Sequence, residues 1–265
     1  MNGRSARCPN TSSRWNLDCV LFCMNLISSF RLLACVAAMA SAAHAAEPVY
    51  HTKFSSPQRG FVSVGELKRD FQGWVATNND TADSKRRKAW YWVGGTYPDG
   101  NYVVGYLHTD AKDELVWLLR DLNYGKGIEG RSSVRNPMLS VHMEMDVRKS
   151  NSDRGQVYFH VALLNNEGNG YIGEVNAIGF ATLYRVNHGV TGEWTQLAEF
   201  SADREDTRQK LELKVKDGVV TFSNHAGVSV MAKDSGYGEF STVGVSGITP
   251  GQEVLLLREV SLKED

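Results

Sequence analysis

The sequence predicts an all-β domain, a sandwich or a barrel, on three observations. Strand-length apolar runs recur from about Trp90 onward. Turn formers (Gly, Asn, Asp and Pro) punctuate them. No stretch sustains helical spacing with caps for more than about two turns, which leaves room for one short helix at most.

In chain order, the runs predicted as strands are Asn101–Leu107, Glu114–Leu119, Leu139–Val147, Gln156–Leu164, Ala181–Val186, Gln209–Lys216, Val219–Ser223, Val228–Met231 and Val254–Ser261. Between them lie Pro98-Asp99-Gly100-Asn101, Asn165 through Gly170, Asn187-His188-Gly189 and Asp217-Gly218. An Asp-Gly pair between two alternating runs is a strong hairpin signal, because both central residues of the tightest hairpin turn need positive φ. Strands without βαβ alternation exclude a parallel α/β sheet. Ala46 to about Phe71 reads as an N-terminal arm able to supply an edge strand, and residues 72–265 as one domain.

The first 45 residues read differently. Arg31 precedes the apolar stretch Leu32–Ala40, and Ala43-His44-Ala45 offers the small-x-small pattern of signal cleavage. Residues 1–45 are therefore expected to be a secretory signal, with Met24 a second candidate start that gives it ordinary length. The apolar stretch is far shorter than the ~20 residues a bilayer span needs, so no membrane span is expected and the mature chain is expected outside the cell or in a periplasm. Cys8, Cys19, Cys23 and Cys35 all precede the cut. Removal of the signal leaves no thiol for disulfides, nucleophilic catalysis or metal binding.

The whole chain has 265 residues, 42% hydrophobic and 22% charged, an ordinary globular composition. Cleavage leaves 25 basic against 29 acidic residues, a formal charge of −4, so no nucleic-acid partner is expected. The basic run Ser84-Lys85-Arg86-Arg87-Lys88 reads as a solvated loop.

One constellation carries chemistry. By strand parity, Leu139, Val141, Met143, Met145 and Val147 point one way, while His142, Glu144, Asp146 and Arg148 point the other. In the next run Val157, Phe159, Val161 and Leu163 oppose Gln156, Tyr158, His160 and Ala162. Paired as a hairpin through Lys149–Gly155, the two runs would gather His142, Glu144, Asp146, Tyr158 and His160 into one patch within cross-strand reach. An antiparallel sheet showing its polar side to water explains the same alternation without chemistry.

The C-terminal half also carries an order of pieces. Phe180-Ala181-Thr182-Leu183-Tyr184-Arg185-Val186 leads to Gly192-Glu193-Trp194, then to Gln209–Phe222 around Asp217-Gly218, then to Asn224-His225-Ala226-Gly227-Val228 and Gly244-Val245. This rhythm, over roughly 139–262, resembles the concanavalin A-like lectin/glucanase superfamily, especially laminin-G-like and bacterial sugar-hydrolase-related domains. The resemblance implies a two-sheet antiparallel jelly-roll sandwich with polysaccharide across its concave face, which makes carbohydrate the expected partner. Fold alone does not choose between binding and turnover.

Three functions follow from the patch. Binding without turnover would use His142, Glu144, Asp146 and Gln156 as sugar contacts. In β-elimination of a uronic polysaccharide, His160 would be base, Tyr158 acid and Arg148 the neutraliser of the carboxylate; Gln156-x-Tyr158-x-His160 loosely resembles the Gln-x-His strand of jelly-roll alginate lyases, with spacing longer by two residues. In glycoside hydrolysis, Glu144-Met145-Asp146 resembles half of the laminarinase-type Glu-x-Asp-x-x-Glu signature, but Arg148 and Lys149 stand where the second glutamate belongs, and retention needs two carboxyls about 5 Å apart. A structural or adhesion module without a sugar site is the remaining class.

Weaker signals complete the reading. Trp74, Trp90, Tyr91, Trp92, Tyr97, Tyr102 and Tyr106 suit sugar stacking but read first as core and cross-strand pairs. Asn165-Asn166-Glu167-Gly168-Asn169 offers oxygen ligands to calcium, yet reads first as an ordinary turn, and no other cofactor is expected. His108 and Asp110 share a face with little else to hold a metal. The oligomeric state is not written in the sequence.

Overall fold

The computed structural model describes residues 48–54, 73–77, 89–93, 103–107, 115–123, 132–145, 156–202, 206–248 and 254–264; the side chains of β3, β4 and Val254 are left undescribed. The described residues hold strands and turns and no helix.

In chain order the strands are β1 (Tyr50–Lys53), β2 (Trp74–Ala76), β3 (Ala89–Val93), β4 (Val103–Leu107), β5 (Leu118–Asp121), β6 (Val134–Arg135), β7 (Pro137–Met145), β8 (Tyr158–Leu164) and β9 (Gly170–Asn176). They continue with β10 (Phe180–Asn187), β11 (Glu193–Ser201), β12 (Arg208–Lys216), β13 (Val219–Asn224), β14 (Ser229–Lys233), β15 (Glu239–Phe240), β16 (Thr242–Ile248) and β17 (Val254–Glu264). A first sheet runs β14-β13-β12-β7-β17-β4-β3, with β1 also on β17. A second runs β11-β10-β9-β8-β16-β5-β2, and β6 pairs with β15. Every pairing is antiparallel. This is the jelly-roll sandwich.

Period-two alternation builds the core. In β7, Leu139, Val141, Met143 and Met145 are buried while the residues between them are half-exposed. Leu211, Leu213 and Val215 of β12 do the same beside them. From the second sheet Phe159, Val161 and Leu163 face the same core. Each such side chain contributes about 1.5–3 kcal/mol by leaving water. The fit is close at Gly173, where a Cβ would come within 2.2 Å of the Phe222 ring. Substituting Gly173 would push the sheets apart.

The Asp217-Gly218 turn has φ of 52° and 75°, as a two-residue hairpin requires, and joins β12 to β13. Strand β17 is shared: Val254–Leu257 pair with β4 and Glu259–Leu262 with β1. Opposite β7 its register shifts between Leu257 and Glu259, leaving Arg258 as the extra residue of a bulge.

Candidate functional site

The hairpin expected between the two central runs does not form. Strand β7 pairs with β12 and β17, whereas β8 pairs with β9 and β16 in the other sheet. Parity told correctly which side chains face the core. It carries no information about which sheet a strand joins. Two strands that turn their apolar faces toward one core from opposite sheets send their polar faces to opposite sides of the sandwich. His142 and Glu144 therefore lie on the outside of the first sheet, and Tyr158 and His160 on the outside of the second. Gln156 is exposed just ahead of β8. Asp146, Arg148, the Lys85–Lys88 run, Tyr97, Tyr102, His108 and Asp110 lie outside the described residues.

The outer face of the first sheet is wet and ionic. His142 stands opposite Lys210 on one neighbour and Glu259 on the other. Glu144 takes the guanidinium of Arg258, Nε to Oε1 at 3.0 Å, with Nη2 on the same oxygen and Arg208 4.0 Å away. Arg258 is the extra residue of the β17 bulge, and its carbonyl accepts the N–H of Phe54 at 3.1 Å. His51 meets Glu259 at 2.7 Å. A depression of about 430 Å³ crosses these strands, lined by Ser140, His142, Lys210, Glu212, His225 and Ser261 among others. Burial lowers the His142 pKa; Glu144 pulls the other way, and Lys210 and Arg258 add to the lowering.

The outer face of the second sheet is different in kind. Ala162 and Leu164 of β8, Ile172 of β9, Val186 of β10, Val190 and Trp117 are buried there as a second apolar layer. Leu119, Tyr184 and Trp194 pack on it half-exposed. Trp117 and Leu119 owe their space to Gly244 of β16, where a Cβ would lie 2.8 Å from Leu119 and 3.2 Å from the Trp117 ring.

Within this layer sits a polar trio. His160 of β8 is fully buried, and its Nε2 lies 2.7 Å from Oε2 of Glu174, its partner on β9. Tyr184 of β10 donates its hydroxyl to Oε1 of Glu174 at 3.1 Å. The Glu174 side chain keeps 14% of its surface in solvent, enough to meet a ligand. Burial alone would raise the Glu174 pKa, but the hydrogen bond and charge of His160, with the Tyr184 hydroxyl, outweigh it and hold the carboxyl below its usual range. Burial, then the charge of Glu174, pushes the Tyr184 phenol up to about 12, so it remains a donor.

Aromatic rings frame the trio. The His160 ring lies 5.9 Å from Trp117, 6.1 Å from Trp194 and 6.4 Å from the nearly parallel Tyr158. Tyr184 and Trp194 lie 5.3 Å apart. The indole of Trp194 is anchored by its N–H on the carbonyl of Val190. Nδ1 of His160 and Nε1 of Trp117 are buried without a hydrogen-bond partner. Buried polar atoms left unmatched cost about 1–3 kcal/mol each.

Glu174, Tyr184, Trp194 and Trp117 were not picked out as site residues by sequence reasoning. Strand β9 is nearly buried throughout and carries two glycines, which hides its alternation. The available signal was Glu174 in phase with Ile172, a lone carboxylate at an apolar position. In the Asn165–Asn169 turn, Oδ1 of Asn165 accepts the N–H of both Glu167 and Asn169, so the loop uses that oxygen internally. No group of three metal-binding side chains occurs among the described residues.

These two sheets and their order define a concanavalin A-like jelly roll. The similarity to solved structures agrees: the CBM2 module of the evolved Dit of Lactobacillus casei BL23 phage J-1 matches with a TM-score of 0.51 at 11% identity, covering 83% of this chain and 97% of that one. The carbohydrate-binding module CBM66 from Bacillus subtilis gives 0.46 at 13%, covering 72% and 96%. Alginate lyase A1-II', a member of polysaccharide lyase family 7, gives 0.40 at 13%, covering 66% and 84%. No protein-family model matches the sequence. A search of curated proteins found no match either.

Proposed function

We propose that this chain is an exported carbohydrate-binding protein that holds a poly- or oligosaccharide on the outer face of its second sheet, without turning it over. The observation that carries the reading is the partly exposed Glu174 carboxylate, held between His160 and Tyr184 and framed by Tyr158 and Trp194. A carboxylate with both oxygens oriented and lone pairs to spare accepts sugar hydroxyls. Aromatic rings beside it offer faces for the C–H side of a pyranose. The shared fold with the phage CBM2 module agrees with this reading, and the signal-like N-terminus supports export.

Burial of His160 favours binding over β-elimination. An imidazole that is fully buried with Nε2 committed to Glu174 is suited to orienting that carboxylate rather than to taking a proton from substrate. Elimination with His160 as base, Tyr158 as acid and Arg148 as neutraliser has its own signature: an unsaturated product that absorbs near-ultraviolet light.

Affinity electrophoresis through gels cast with single polysaccharides tests the reading. At least one polymer should retard the protein. Trp194→Ala and Tyr184→Ala should each weaken retardation at least about five-fold, in keeping with about 1–3 kcal/mol for a lost aromatic or hydrogen-bonded contact. Glu144→Gln on the opposite sheet should leave it unchanged. Absence of retardation by any polymer, or its loss in Glu144→Gln alone, would sink the proposal; a rise in near-ultraviolet absorbance would replace binding with lyase chemistry.

A further inference from the structure

The second sheet's outer face has a sign of charge. Glu174 stands at its floor, and Glu199, directly opposite Thr182 on β11, adds a second carboxylate at the exposed rim. The arginines on the same strands point the other way. Arg185 follows Tyr184 on β10 and reaches Asp234 at 3.4 Å on the reverse side of the strand. Arg120 follows Leu119 on β5 and lies over the Tyr50 ring, 5.5 Å from its centroid. Strand alternation turns both guanidiniums away from the face that carries Glu174.

From this we infer that the glycan held on this face is a neutral one, built of uncharged sugars rather than of uronates or sulfated units. The inference rests on the carbohydrate reading above and names the class of sugar.

A uronate carboxylate brought against Glu174 would place two like charges in a partly desolvated site, which disfavours its binding. Beyond His160, whose Nε2 already faces Glu174, the described residues of the face supply no cation to offset it. A neutral ring meets the opposite balance. Its hydroxyls donate to the free lone pairs of Glu174, and its polarised C–H bonds lie against the negative faces of Trp194 and Tyr184.

The test uses the whole protein in affinity gels. The neutral probes are a β-glucan, a mannan and fully methyl-esterified polygalacturonate; the charged probes are alginate and free polygalacturonate. The expected result is retardation by at least one neutral polymer, insensitive to salt, with the uronate polymers at least ten-fold weaker. A uronate polymer that binds as tightly as the best neutral one overturns this inference and leaves the carbohydrate reading standing. Retardation by none of the five removes both. In a folded Glu174→Gln variant the preference for neutral over charged polymer should shrink. An unchanged ratio there also overturns the inference, and if the variant does not fold, the parent panel decides.

Discussion

The two outer faces of this sandwich solve the same problem in opposite ways. On the first sheet the even-numbered residues of β7 remain half-exposed and His51 pairs with Glu259 in solvent, at 41% and 39% exposure, although the Arg258–Glu144 pair beside them is largely buried. On the second sheet the equivalent positions of β8 are buried under a further apolar layer, and the titratable residues His160 and Glu174 are paired inside it. The difference teaches where to look for function. Half-exposed ion pairs are worth about 0–1 kcal/mol and need no purpose beyond solubility. A desolvated pair roofed by half-exposed aromatic rings is expensive to build.

Three substitutions or titrations break or sharpen that contrast. The largest effect is expected for Trp117→Ala, which opens a void at the centre of the second layer: about 3–5 kcal/mol, read as a lower urea midpoint with an unchanged slope. A loss below about 1 kcal/mol would mean that the layer adds little stability.

Next is the matched pair His160→Leu and His142→Leu. The first strips Glu174 of its buried partner and should cost about 3 kcal/mol. The second removes a half-exposed imidazole and should stay within about 0.5 kcal/mol. Equal costs would erase the distinction between the faces.

The smallest effect is in the pH dependence. His142 has a folded pKa below its ordinary 6.5, so the unfolded chain takes up the proton first. Its contribution is present above that value and is lost as pH falls from there toward the folded pKa. Glu174 is held below its ordinary 4.5, so its contribution is present above 4.5 and disappears only as pH drops through the lower folded value. Urea midpoints at pH 7, 5.5 and 4 should therefore show His142→Leu flattening the upper interval and His160→Leu the acid one. The reverse assignment would contradict the described surroundings of both groups.

Much of the fold was legible because alternation is local. The runs at Leu139, Gln156, Gln209 and Val254 became β7, β8, β12 and β17 within a few residues. Three of the longer strands escaped for separate reasons. β9 is buried on both faces, β16 spends Gly244 and Gly247 on making room for Trp117 and Leu255, and β11 is a polar edge. The site was harder to read, because it depends on which strands become neighbours. His160 and Tyr158 could be singled out from their own run. Their link to Glu174 and Tyr184 arises from β8, β9 and β10 lying side by side. The expected link to His142 failed because β7 and β8, although consecutive, belong to different sheets.

Strand β17 has a consequence for how the chain acquires its shape. It fills the gap between β7 and the pair β1 and β4, and its contact between His51 and Glu259 spans 208 positions of sequence. A ribosome delivers these residues after both neighbours, so a nascent chain exposes two unsatisfied sheet edges until they arrive. Folding should accordingly be slow, as for other chains dominated by distant pairings. Fragments stopped before Val254 should aggregate rather than persist as a smaller sandwich.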